Sequence, residues 1–132
     1  MENGHYFTED GDEVWVQDGV LHREDGPAII YLYGAQEWYK KGKLHRLDGP
    51  AVIYLDGYHV WYQNGRKHRE DGPAIIDSHG FKFWFQNGIK HRVDGPAVIN
   101  KNGSQEYWLD GVRYPNEVLL RIEVQRLKRS RK

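Results

Sequence analysis

The 132-residue chain has no cysteine, one methionine and only three serines, Ser78, Ser104 and Ser130. Without thiols there is neither a disulfide framework nor a thiolate metal site, and a reducing compartment is permitted. An excess of either charge is missing too. Lys plus Arg number 19 and Asp plus Glu number 19, so bulk electrostatics do not supply the phosphate neutralisation that nucleic-acid binding needs. No apolar run approaches the roughly 20 residues of a membrane span. The first residues, Met1-Glu2-Asn3-Gly4-His5, lack the basic region and apolar core of a secretory signal. The expectation is a soluble, cytoplasmic protein.

The residues that are present suffice for one folded domain. With 39% hydrophobic residues and five tryptophans, the chain is too apolar to be disordered. The zero balance hides an asymmetry. Residues 1–114 carry 13 basic and 17 acidic side chains. Residues 115–132 carry six basic ones (Arg121, Arg126, Lys128, Arg129, Arg131 and Lys132) against two acidic.

Self-similarity decides the architecture. The motif His-Arg-x-Asp-Gly-Pro-Ala-(Val/Ile)-Ile starts at His22, His45, His68 and His91, a period of 23 residues. Trp15, Trp38, Trp61 and Trp84 keep that period. Trp108 follows after 24, which reads as one residue inserted between Gly103 and Trp108. Turn signals every seven or eight residues leave room for strands of about five and none for helices. Each repeat then holds a Trp strand, such as Val60 to Tyr62, and an Ala-Ile strand, such as Ala51 to Leu55. Asn64-Gly65, Asn87-Gly88 and Asp110-Gly111 are two-residue hairpin turns, and strands joined by tight turns run antiparallel. The fold class is therefore mainly β: a repetitive antiparallel β-meander, one curved sheet of about nine short strands over residues 1–114.

Between the two strands of a repeat lies a bend built from Asp25 and Pro27, Asp48 and Pro50, Asp71 and Pro73, and Asp94 and Pro96. Proline fixes φ, the preceding glycine tolerates unusual dihedrals, and the Asp can bond its own downstream backbone in an Asx turn. The His and Arg are expected to brace the bend or to reach the next repeat. From Pro115 the pattern becomes helical, with Asn116 as cap and Val118, Leu119 and Ile122 as an apolar face. A C-terminal helix within 115–132 is expected to cap the last strand, those three side chains packing on it.

With the Trp strand, the Asn-Gly turn and a His three residues after that Gly all recurring, the chain resembles the MORN repeat family over about 11–111. The element Asn64-Gly65-Arg66-Lys67-His68 and its copy at Asn87 carry the likeness. In place of the family's His-Gly-x-Gly stands His-Arg-x-Asp-Gly-Pro-Ala, a divergent form of a kind associated with bacterial, phage and large-virus proteins. The resemblance implies an elongated, curved, single-layer β-sheet acting as a scaffold or dimerisation module, with phosphoinositide binding proposed for some members.

Four identical rungs of His, Arg and Asp argue against an enzyme, which needs one asymmetric constellation, so no catalytic residue and no cofactor are expected. Equivalent residues two strands apart lie about 9 to 10 Å from one another, too far for His22, His45, His68 and His91 to share a metal pairwise. Three functional readings follow. In the first, the array binds a protein partner or forms a homodimer through an aromatic sheet face. The second is a binder of an anionic small ligand, a nucleotide or a lipid headgroup, held by His and Arg of neighbouring rungs. The third tethers the chain to nucleic acid or an anionic membrane through the basic tail. Candidate partner or ligand contacts are Trp38, Trp61, Trp84, Trp108, His45, Arg46, His68, Arg69, His91 and Arg92. The tryptophans have a second reading, as covers for the Pro-Ala bends.

Overall fold

A computed structural model describes residues 2–130. The strands are short: β1 (Gly4–Phe7), β2 (Glu13–Gln17), β3 (Val20–Leu21), β4 (Ile29–Ile30), β5 (Gln36–Glu37), β6 (Tyr39–Lys40), β7 (Lys43–Leu44), β8 (Val52–Ile53) and β9 (His59–Val60). They continue as β10 (Tyr62–Gln63), β11 (Arg66–Lys67), β12 (Ile75–Ile76), β13 (Lys82–Phe83), β14 (Phe85–Gln86), β15 (Ile89–Lys90), β16 (Val98–Ile99), β17 (Gln105–Leu109) and β18 (Val112–Tyr114). One helix, α1 (Glu117–Ser130), closes the described chain. It is neither long nor apolar enough to cross a membrane.

The protein is thus mainly β and antiparallel, in meander order, with a C-terminal helix. The nine strands expected in one sheet become a twelve-stranded sheet ordered β1-β2-β4-β5-β8-β9-β12-β13-β16-β17-β18, with β3 on β2, and three separate hairpins, β6–β7, β10–β11 and β14–β15. The reason lies at the tryptophan. Trp61 donates its N–H to the Ala74 carbonyl in the main sheet at 2.7 Å, while its own carbonyl accepts the His68 N–H from the hairpin at 3.1 Å. Trp38 and Trp84 do the same. At Trp38, Trp61 and Trp84 the Trp residue is therefore a corner, and the expected strand turns there from the main sheet into a row of hairpins. Leu44, Tyr62 and Phe85 of that row pack against the buried Val52, Val60 and Ile75 of the main sheet, joined by Tyr54, Tyr58 and Phe83.

The hairpin turns have a fixed shape. Asp18, Lys41, Asn64, Asn87 and Asp110 adopt φ of 50° to 53°, each followed by a glycine at 79° to 82°, as a type I′ turn requires.

Glycine spacing overturns the inserted residue. Gly80 to Gly103 and Gly88 to Gly111 are both 23 residues, and the Arg92 N–H bonds the Trp108 carbonyl where the Arg69 N–H bonds that of Phe85. Trp108 therefore occupies the place of Phe85, Tyr107 occupies the Trp column, and nothing is inserted. At the other end, β1 is half a repeat. Gly4 to Phe7 stand 23 residues before Pro27 to Ile30 and pair with β2 in register, His5 opposite Trp15 and Tyr6 opposite Val14. His5 replaces the fully buried alanine of the bends, and its ring stacks on Trp15 at 4.2 Å.

The helix begins as expected, the Asn116 side chain accepting the Leu119 N–H at 3.0 Å, but it docks by another face. Val118, Leu119 and Ile122 are exposed, while Leu120 is 1% exposed and Val124 and Leu127 are half-buried. Positions 117, 120, 124 and 127 form one stripe at helical spacing, and 118, 119 and 122 form another. The contacts with β17 and β18 use the first. Arg131 and Lys132 of the basic tail lie outside the described residues.

Candidate functional site: the repeated bends

Each bend is closed by one arginine. Its Nε donates to the motif Asp at 2.9 to 3.1 Å (Arg23–Asp25, Arg46–Asp48, Arg69–Asp71, Arg92–Asp94). Its Nη1 donates to the proline carbonyl at 3.0 to 3.2 Å. The guanidinium lies 3.8 to 4.1 Å above Trp15, Trp38, Trp61 or Trp84 of the same repeat, a cation–π contact. The Asp therefore bonds the arginine, and the Asx turn expected of it is replaced by that pair.

The bend glycines also act differently from expectation. Gly26, Gly49, Gly72 and Gly95 are not among the glycines with positive φ. A Cβ on any of them would instead fall 2.6 to 3.0 Å from the arginine Cζ, closer than carbon atoms approach. A side chain at these positions would push the guanidinium off the bend, so glycine leaves room for the arginine clasp.

Each histidine reaches forward into the next repeat. Nδ1 of His22, His45, His68 and His91 accepts the backbone N–H of Lys41, Asn64, Asn87 and Asp110 at 2.8 to 3.0 Å. Those are the turn residues with positive φ, whose N–H has no strand partner. At the first turn the Asn3 side chain takes this place, accepting the Asp18 N–H at 2.7 Å. Because Nδ1 accepts, the neutral ring carries its proton on Nε2.

That assignment separates two kinds of repeat. Nε2 of His22 and His68 donates to Glu24 and Glu70, at 2.7 and 2.5 Å, and both rings are buried. In the second and fourth repeats the same sequence position holds Leu47 and Val93, 69% and 50% exposed. His45 thus lacks a carboxylate partner, whereas His91 has a different one, Asp110, whose Oδ1 lies 3.0 Å from its Nδ1. The alternation Glu24, Leu47, Glu70, Val93 is visible in the sequence, at the variable position of an otherwise identical motif.

Two matching grooves accompany the alternation. One, of 570 Å³, lies between the first and second bends and is lined by Arg23, Trp38, Lys40, His45, Arg46 and Leu47. The other, also of 570 Å³, lies between the third and fourth, with Arg69, Trp84, Gln86, His91, Arg92 and Val93 in the corresponding places. Two repeats, or four strands, put them roughly 19 Å apart. Of the residues expected to form a site, Trp38, His45 and Arg46 meet in the first groove and Arg69, Trp84, His91 and Arg92 in the second. Trp61 is roofed by Arg69, His68 is bonded to Glu70, and Trp108 sits under Lys90; these line neither groove.

Burial, and then Lys40, holds the His45 imidazole below its ordinary value of 6.5. The folded chain therefore favours neutral His45. As pH falls below about 6.5 the unfolded chain takes up a proton that the folded chain refuses. Stability contributed here is complete above that pH and is lost as pH falls from 6.5 to the lower folded-state value. Melting temperatures at pH 7.5 and 5.5 should fall toward acid. The fall should be smaller in His45→Asn, whose amide oxygen can accept the Asn64 N–H as Asn3 accepts that of Asp18.

No family model and no curated protein matches this chain.

Proposed function

We propose that the chain is a non-enzymatic β-repeat interaction module of MORN-like type that self-associates or holds a protein partner along its bend edge. The observation that carries this reading is the pair of matched grooves two repeats apart, each floored by a tryptophan and rimmed by an exposed aliphatic side chain, Leu47 or Val93. A periodic surface suits an extended or repeating macromolecule better than one small substrate. Catalysis is disfavoured because the arginine donors are already engaged by Asp and proline, and reaching a substrate would break the clasp that closes the bend. The lack of cysteine favours a cytoplasmic setting.

A second reading is supported by His45, whose Nε2–H lacks the glutamate found in the alternate repeats. With Lys40 beside it, the groove offers donors to an acceptor-rich anionic ligand.

Sedimentation equilibrium at micromolar concentration tests the first reading. The wild-type chain is expected above monomer mass, and the double variant Leu47→Glu with Val93→Glu should be monomeric with an unchanged melting temperature, since both side chains are exposed. A monomeric wild type that retains a small anion in native mass spectrometry would favour the second reading.

A further inference from the structure

The inner angle of the array, away from the bend edge, holds a charge that no feature described above uses. At 23-residue spacing, Val14, Glu37, Val60, Phe83 and Glu106 share one column. Val60 is buried in the core, and Glu37, one repeat earlier, is only 8% exposed. A carboxylate so placed is costly unless it is compensated. Among the described residues it forms no ion pair with Lys, Arg or His. Its compensation comes from tyrosines. Tyr39 donates its hydroxyl to Glu37 Oε1 at 2.9 Å, and Tyr31 and Tyr54, each just past a neighbouring strand, lie close enough to feel the same carboxylate.

Two more rings extend the wall. Tyr33 stacks on Tyr31 with centroids 5.3 Å apart, and Tyr58 stacks on Tyr54 at 5.8 Å. Burial first, and then the Glu37 charge, raises the Tyr31 hydroxyl to about 12 and raises that of Tyr54 as well. The tyrosines thus stay neutral at any physiological pH. Glu106, in the same column, differs: it accepts the Trp108 indole N–H at 3.0 Å and feels Arg113 and Lys90. Glu37 is a buried carboxylate beside an aromatic wall, with no cationic side chain paired to it among the described residues.

We infer that the five tyrosines around Glu37 form a site for an organic cation, best a methylated ammonium group. The carboxylate supplies the opposite charge, and the ring faces of Tyr31, Tyr33, Tyr54 and Tyr58 supply cation–π contact. A quaternary ammonium has no N–H to be satisfied and sheds water cheaply, which suits a wall whose hydroxyls already point at Glu37. The site lies on the opposite side of the sheet from the grooves, and it stands whether or not the bend edge binds a partner.

The test is titration of the full chain with tetramethylammonium chloride, followed by backbone amide NMR, with sodium chloride at matched ionic strength as reference. Saturable shifts are expected at residues 31–39 and 54–58, with binding about tenfold weaker in Glu37→Gln, which keeps the shape and removes the charge. Tyr33→Ala removes an exposed ring without touching the core and should also weaken binding, which keeps the test decisive if Glu37→Gln fails to fold. Shifts no larger than those from sodium, or saturable shifts undiminished in both variants, would overturn the inference.

Discussion

Arg69→Ala is expected to destabilise the protein by about 2 kcal/mol, summing a charge-assisted bond to Asp71, a bond to the Pro73 carbonyl and the contact with the Trp61 ring. The arginine is mostly covered while Asp71 is exposed, so the stacked guanidinium and the bond to Pro73 dominate and the ion pair adds little. Asp71→Ala alone should therefore cost less, about 1 kcal/mol. The two substitutions together should cost less than their sum, because they remove the same bond. Arg69→Lys keeps the charge but loses the planar fork that bonds Asp and proline while lying on the ring, so it should recover under half of the loss. Thermal and urea melts of the four variants read this directly. An unaltered melt for Arg69→Ala would mean that the bend is held by Gly-Pro geometry alone.

The second large effect sits at the C-terminal end. Leu120→Ala should cost about 3 kcal/mol, the usual loss for a leucine removed from a closed site. Ile122→Ser, two residues along, on the other face of the helix and 58% exposed, should stay within about 0.5 kcal/mol of wild type. Because repeats couple chiefly to their neighbours, the Leu120 variant should melt first at β17 and β18, leaving the first repeats intact. Hydrogen exchange resolved by residue separates that local opening from global loss. Equal losses in both variants would place the buried helix face wrongly.

The contrast between those two residues shows where the sequence stops being readable. Period, turn positions and antiparallel order could be read because glycine and Asn-Gly pairs recur whatever surrounds them. The docking face of α1 could not, since the helix carries apolar residues on two stripes and periodicity does not choose between them. Trp108 was misplaced because residue type was followed in preference to glycine spacing. The half repeat at Gly4 to Phe7 shares a register with Pro27 to Ile30 but almost no chemistry, so only pairing with β2 reveals it.

The candidate site divides in the same way. The motif His-Arg-x-Asp-Gly-Pro stands out as a unit, but the histidine's partner lies 19 residues away, as Asn64 does from His45. The bend glycines looked like turn residues, and only the arginine lying on them explains their identity. Glu37 is invisible in the sequence: a charged residue in a two-residue strand reads as solvent-facing until the tyrosines of both neighbouring strands close around it.

The claim beneath all of this is that the recurring histidine is spent on joining one repeat to the next, while the arginine closes its own bend. Amide exchange at Lys41, Asn64, Asn87 and Asp110 tests it most directly. The leading residue of a type I′ turn ordinarily has a free N–H, whereas here each one is bonded to a histidine Nδ1. All four amides should be protected to the level of strand amides such as Trp61 and Ala74, and His68→Ala should release Asn87 alone. Exchange of all four at the rate of open turns would contradict the account and return the motif to the list of free functional groups.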